Sequence, residues 1–245
     1  MARPACLFLP GIIAPAVVRY GPLLAALGDA VDGRTKELEL YTLTPPPRGY
    51  SIKLEVEGLA RWARLAGLDR FHLYGHSAGG AVALAFCAAH PEMLLSLGLD
   101  EPAFDYSDEM RGDLAEHLGL VRLLREDPAP AMRRFMSLEL RPGVEFEPPP
   151  GPPLLPNRPR AIAALLGAFA DAAIDYGVLA SFEGPVLYTR GSLSAERYAR
   201  SAQRLSGVFP NFREELFDGI HHLNTSHVAE PARVAALLLE LWGVS

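Results

Sequence analysis

Short apolar runs alternate with longer amphipathic segments along most of the chain, and glycine or proline bounds many of the runs. This alternation predicts a parallel sheet, because parallel strands are buried on both faces and need a helical crossover between them. The predicted strands are residues 5–9, 37–41, 71–74, 94–99, 186–189 and 213–217, and the predicted helices are 16–27, 53–66, 78–89, 195–205 and 231–242. The expected fold class is α/β, with a mostly parallel, doubly wound sheet.

Residues 103–183 interrupt this rhythm, because no run among them has the character of a buried strand. The helical candidates are 108–125, 129–140 and 160–182, and the proline-rich run 148–153 predicts an extended connection. We therefore expect a core formed by residues 1–102 and 184–245, with an inserted helical segment at 103–183. The chain has 245 residues, of which 49% are hydrophobic, and this is enough for one sizeable core.

Charge and composition exclude several classes of protein. The formal net charge of −6 gives no basis for a nucleic-acid partner. The longest apolar stretch, 78–89, is shorter than the roughly 20 residues that a membrane span needs, and the first apolar run ends too early for a signal peptide. Cys6 and Cys87 lie in apolar runs without metal-binding or redox spacing, which predicts core residues. We expect a cytoplasmic protein that needs no cofactor, has no membrane partner and binds a small-molecule substrate; its oligomeric state stays open.

A short glycine-rich motif, 75–79, contains the candidate nucleophile Ser77. The motif ends an apolar strand and opens a helix rich in alanine and glycine, which is the setting of a nucleophile elbow. The turn in such an elbow is tight, so the small residues Gly75, Gly79 and Gly80 fit its requirements. The alternative is a glycine-rich start of a helix with an incidental serine.

On these residues the chain resembles the α/β-hydrolase family, from Ala5 to Trp242. The stretch 7–11 stands where the family usually has Leu-x-x-His-Gly, with Pro10 in place of the histidine. The resemblance implies a helical cap at the insertion, roofing the active site. It also implies that the backbone N–H groups of Ile12 and Ala78 bind the oxyanion.

A serine nucleophile needs a base, and histidine is the side chain suited to that role. Residues 219–227 contain three histidines and lie between the last predicted strand and the final helix. The resemblance implies that His222 is the catalytic histidine, with His221 a neighbour and His227 a packing residue. A three-histidine metal site is the alternative, but no carboxylate or cysteine accompanies the cluster at ligand spacing.

The acid that orients the histidine does not stand at its usual place in the family. The family usually has Gly-x-x-Asp after the next-to-last strand, and here Ser194 occupies the position of the aspartate. Some members, including haloalkane-cleaving enzymes, carry a glutamate after the strand that follows the elbow helix. Here that strand ends in Asp100-Glu101-Pro102, and alignment on the proline selects Glu101. Asp100 remains an alternative, as do Asp218 and a dyad without an acid.

The resemblance implies a serine hydrolase that cleaves a carboxylic ester, thioester or lactone through an acyl-enzyme. The candidate lining of the cap is apolar, which indicates a small, largely apolar substrate. Carbon–carbon bond hydrolysis and perhydrolysis on the same fold are alternatives. Two further hypotheses are a binding protein that has lost its triad, suggested by Ser194, and an interaction module that uses the proline run.

Overall fold

A computed structural model describes residues 3–42, 45–146 and 157–244. Its centre is a six-stranded sheet in which all neighbouring strands run parallel. The strands are β1 (Ala5–Leu9), β2 (Asp32–Thr35), β3 (Phe71–His76), β4 (Leu94–Asp100), β5 (Val186–Gly191) and β6 (Phe212–Phe217), in the order β2-β1-β3-β4-β5-β6. The predicted α/β class with a parallel sheet is therefore confirmed.

Helices cover both faces of the sheet, because alternate residues of each strand point to opposite sides. In β1, Leu7 and Leu9 join one apolar cluster, whereas Cys6 and Phe8 join the other. The first cluster includes side chains of α2 (Ile52–Leu65), α3 (Ala78–Ala89) and α9 (Glu196–Ser206). The second includes α1 (Ala16–Leu27) and α11 (Pro231–Leu241), which follows the short α10 (Ser226–Ala229).

One predicted strand, 37–41, is wrong. Residues Glu39–Tyr41 form a single 3-10 turn, and the strand at this edge of the sheet is β2. Its sequence, Asp-Gly-Arg-Thr, carries no apolar signal because an edge strand pairs on one side only and stays partly exposed. The 3-10 turn is fixed by the buried carboxylate of Glu55, which accepts hydrogen bonds from the backbone N–H groups of Glu39 and Leu40.

The chain between β4 and β5, residues 101–185, is called here the β4–β5 segment. Its described residues form helices α4 (Asp108–Leu118), α5 (Leu123–Glu126), α6 (Pro128–Leu138), α7 (Arg158–Asp171) and α8 (Tyr176–Ala180). The predicted helices 108–125 and 160–182 are therefore each broken in two. The proline run 148–153 lies outside the described residues, and the division into core and insertion at 102/103 and 183/184 stays a prediction.

Both cysteines are buried free thiols, as predicted, and burial raises the pKa of Cys87 to about 12. Within the described ranges, no helix combines the length and the apolar character that crossing a membrane requires.

Candidate active site

Ser77 occupies the tight turn between β3 and α3, with φ 53° and ψ −118°. A non-glycine residue in such a conformation costs on the order of 1–3 kcal/mol, which the surrounding contacts must offset. The Ser77 N–H donates to the carbonyl of Asp100 (3.0 Å), and the Ser77 carbonyl accepts from the N–H of Ala103 (2.9 Å). A Cβ atom at Gly79 would lie 2.3 Å from the Leu9 carbonyl oxygen. The small neighbour is therefore a steric requirement of the turn.

Two further loops bring their side chains to Ser77. His222 follows β6, and its Nε2 lies 3.0 Å from the Ser77 Oγ. Glu101 follows β4, and its Oε2 lies 2.9 Å from the His222 Nδ1. The second oxygen of Glu101 accepts the N–H of Gly191 (2.8 Å), which fixes the carboxylate. The structure thus brings together the three side chains selected from the sequence.

This chain of hydrogen bonds has a defined chemical capacity. His222 and Glu101 are buried, so water does not compete for their contact. A carboxylate at Nδ1 favours the tautomer with hydrogen on Nδ1, which leaves the Nε2 lone pair to accept a proton from the Ser77 hydroxyl. The same carboxylate would stabilise an imidazolium formed in this way.

The neighbouring carboxylate, Asp100, belongs to a second pair. Its Oδ2 lies 2.6 Å from the Nδ1 of His227 and accepts the Ser226 hydroxyl at 3.0 Å. The Nε2 of His227 in turn accepts the Nε–H of Arg19 (3.0 Å). Burial lowers the pKa of His227 to about 4, so the ring is neutral near pH 7. The structure therefore brings Glu101, and not Asp100, to His222.

The other candidates for acid and metal ligand lie elsewhere. Asp218 accepts a hydrogen bond from Ser192 in an exposed turn. His221 packs its ring against Phe146, so the three histidines of the cluster have different partners. Over the ranges that the structure describes, no group of three or more histidine, cysteine, aspartate or glutamate side chains is arranged to hold a metal ion.

The two predicted oxyanion donors lie beside Ser77, where Ile12, Ser77 and Ala78 line one cavity. Ala78 is the first residue of α3, and the N–H groups of a helix's first turn have no partner within the helix. The loop that carries Ile12 passes very close to the elbow. A Cβ atom at Gly11 would lie 3.1 Å from the Cβ of Ser77.

The cavity at Ser77 has an empty volume of about 460 Å³. The β4–β5 segment forms its roof with apolar side chains, namely Phe104, Met110, Leu114, Phe135, Ile162, Leu165, Leu166 and Phe169. Polar side chains are confined to a smaller part of the wall: Asp113, His117, Glu139 and Arg197. The wall of the site is therefore mostly apolar.

Comparison with known proteins agrees with this architecture. A sequence profile for the alpha/beta hydrolase fold matches residues 59–143, which include Ser77 and Glu101. MenH from S. aureus superposes with a TM-score of 0.79 at 16% identity, covering 99% of this chain and 94% of that one. The chain has the α/β-hydrolase fold. The fold that the sequence resemblance implied is thus confirmed.

Two other solved structures with this hydrolase fold are similar over most of their length. A thermophilic esterase from Thermogutta terrifontis has a TM-score of 0.75 at 18% identity, covering 99% of this chain and 90% of that one. A probable hydrolytic enzyme from Pseudomonas aeruginosa PAO1 has a TM-score of 0.71 at 18% identity, covering 97% and 85%. No curated protein matches the sequence significantly.

Sequence reasoning missed three residues of this candidate site. The ring of Tyr198 stacks on that of His222, with centroids 4.5 Å apart and an interplanar angle of 9°. Glu139 places its Oε2 3.8 Å from the His222 Nε2, and Arg197 forms an ion pair with Glu139. In the sequence these residues are ordinary members of helical segments, so no pattern distinguishes them.

Proposed function

We propose that the protein is a serine hydrolase that cleaves a carboxylic ester, or a related acyl bond such as a thioester or lactone, through an acyl-enzyme. The observation that carries the proposal is the continuous chain from the Ser77 Oγ to His222 (3.0 Å) and on to Glu101 (2.9 Å), opening on the cavity. The likeness in fold to the Thermogutta terrifontis esterase supports it.

In the first half-reaction, the Ser77 Oγ attacks the substrate carbonyl carbon while its proton passes to the Nε2 of His222. Glu101 holds the ring and balances the new positive charge. The oxyanion is bound by the N–H groups of Ile12 and Ala78, and removing one such donor typically costs about 2.7–4 kcal/mol of transition-state stabilisation. The tetrahedral intermediate collapses when His222 returns the proton to the leaving group.

In the second half-reaction, water replaces the leaving group. His222 takes a proton from the water as its oxygen attacks the acyl carbon, and the Ser77 Oγ leaves with that proton, which releases the carboxylic acid. The apolar roof favours a small apolar acyl group, since burying such a group there removes its surface from water.

An active-site-directed fluorophosphonate tests the proposal directly. We expect covalent labelling of Ser77 in the folded protein and none in Ser77→Ala. A chain-length series of p-nitrophenyl esters should then show highest kcat/KM for short acyl chains and no activity for Ser77→Ala. Absence of labelling in folded wild-type protein would contradict the hydrolase and favour a non-catalytic binding protein.

A further inference from the structure

The side of His222 that faces the nucleophile also faces a second carboxylate. The Nε2 atom lies 3.0 Å from the Ser77 Oγ, 3.2 Å from the Tyr198 hydroxyl and 3.8 Å from Glu139 Oε2. Glu101 occupies the opposite end of the ring, at Nδ1. The imidazole therefore lies between two buried carboxylates, one near each nitrogen.

Glu139 is held by three side chains besides this contact. It forms a buried ion pair with Arg197, accepts the Tyr198 hydroxyl, and has its second oxygen 3.3 Å from the Nε2 of His117. Burial by itself would raise the pKa of the Glu139 carboxyl, but Arg197 and the hydrogen bond with His117 outweigh it and hold the pKa well below its usual range. The group is therefore a carboxylate throughout the pH range in which a histidine titrates.

The position of Glu139 depends on the turn that follows β5. The Glu139 carbonyl accepts the N–H of Ala195 (3.0 Å), and the N–H of Arg141 donates to the carbonyl of Leu193 (3.0 Å). Leu140 and Ser194 form an antiparallel bridge between these backbone contacts. Ser194 stands where the family usually has its aspartate, so here that turn binds the β4–β5 segment instead of supplying the acid.

We propose that Glu139 is a positioning residue that stabilises protonated His222 from its Nε2 side. Arg197 moderates the negative charge, and Tyr198 holds both the carboxylate and the ring. This inference rests on the proposed function, since it concerns the proton that His222 takes from the Ser77 Oγ. As the Ser77 Oγ bonds to the electrophile, the imidazolium gains a second opposite charge close to its newly protonated nitrogen.

Four groups with charge or a titratable proton face His222 from the elements packed around it. They are Glu101 after β4, Glu139 in the β4–β5 segment, Tyr198 on α9, and His76 at the end of β3. Arg197, also on α9, contacts Glu139 and Tyr198. Burial lowers the pKa of His76, so that ring stays neutral. His227 on α10, neutral for the same reason, is separated from His222 by the His76 ring.

Because Glu139 and Arg197 carry opposite charges, replacing each should shift the pH dependence in opposite directions. A loss of packing would not produce opposite shifts. A fluorophosphonate labels Ser77 with fluoride as the leaving group. The rate of this labelling, measured against pH, reports the fraction of His222 that is unprotonated. The labelling rate should rise with pH along an acidic limb and then reach a plateau. We expect Glu139→Gln to move the acidic limb to lower pH by about one unit and to slow the plateau rate about tenfold. Arg197→Gln should move the same limb to higher pH, because an uncompensated carboxylate favours the imidazolium.

Two further variants serve as controls for a loss of folding. Thermal unfolding of each variant shows whether it is folded. Glu139→Asp keeps a carboxylate and should recover most of the rate lost in Glu139→Gln. The double variant Glu139→Gln/Arg197→Gln leaves no unpaired charge and should restore the wild-type midpoint with a slowed plateau.

Limbs that move in the same direction in the two single variants, or that do not move, overturn the inference. If a single variant does not fold, the double variant decides, and a plateau within twofold of wild type overturns the inference. Failure of wild-type Ser77 to react at any pH would contradict the proposed function instead.

Discussion

Adjacent residues, Asp100 and Glu101, each bind a histidine, and the two pairs are alike in most respects. Both carboxylates contact an Nδ1 atom, at 2.6 Å for His227 and 2.9 Å for His222, and all four side chains are buried. The pairs differ at the other nitrogen. The Nε2 of His227 accepts a hydrogen bond from the guanidinium of Arg19, whereas the Nε2 of His222 faces the hydroxyl of Ser77.

This difference decides what each pair can do. A lone pair that already accepts an N–H from a buried arginine cannot take a proton from a substrate or a nucleophile. A lone pair that faces a hydroxyl beside a cavity can. A carboxylate and a histidine in contact therefore form a base only where the second nitrogen is available.

The largest expected effect comes from exchanging each carboxylate for its amide. Glu101→Gln should lower kcat/KM for a reactive ester by about 10³–10⁴, because the amide cannot stabilise the imidazolium or hold its tautomer. Asp100→Asn is the matched control and should change kcat/KM by less than about tenfold, with its main effect on stability. Steady-state kinetics on both folded variants measures this, and equal losses would show that the two pairs act as one unit.

Removing Arg19, which contacts the Asp100–His227 pair at the His227 Nε2, should lower stability without changing the reaction rate. Arg19→Met leaves the Asp100–His227 pair without its buried cation, and losing one partner of a buried ionic network typically costs about 3–5 kcal/mol. Urea unfolding gives the free-energy change, and fluorophosphonate labelling reports the rate in the fraction that is folded.

The control for Arg19 is Arg213→Met, because Arg213 forms exposed ion pairs with Glu215 and Glu240. Exposed pairs contribute less than about 1 kcal/mol, so this variant should unfold nearly like wild type. A similar loss in both variants would show that burial of Arg19 adds nothing.

A smaller effect should appear in the pH dependence of stability. The pKa of His227 is about 4 in the folded protein, below the ordinary value of about 6.5, so the unfolded chain binds this proton first as pH falls. The contribution of neutral His227 to the free energy of unfolding is therefore complete above pH 6.5 and is lost as pH falls towards 4. One such histidine contributes a slope of up to about 1.4 kcal/mol per pH unit.

His227→Gln should flatten this slope between pH 5 and 6.5, a window in which ordinary carboxylates stay ionised. His72, whose pKa burial also lowers to about 4, contributes a similar slope that the substitution leaves in place. Urea titrations at several pH values measure the difference. An unchanged slope would mean that folding does not lower the pKa of His227.

The sequence predicted most of the sheet because buried parallel strands carry a strong apolar signal. It missed β2, whose polar residues pair at one edge only. It also led to Ser77, His222 and Glu101, whose roles stay predictions. Ser77 and Glu101 directly follow strands, His222 lies in the loop after the last strand, and the family resemblance identifies all three positions. Alignment on Pro102 is what selects Glu101 over Asp100 in the sequence.

The contact of Glu139 with His222 was beyond sequence reasoning for a physical reason. Helical periodicity predicts which face of a helix is apolar, but not which helix from a distant part of the chain packs against it. Glu139 and Tyr198 are 59 residues apart, and they meet only because the β4–β5 segment binds the turn after β5.

The order of these residues along the chain has a practical consequence. Ser77, Glu101 and Glu139 all precede residue 147, whereas Arg197 and His222 both follow residue 156. A gene divided between these positions would encode two fragments, neither of which holds all five of these side chains. If Ser77 reacts with a fluorophosphonate as proposed, its labelling after the fragments are mixed would report their reassembly as a covalent signal.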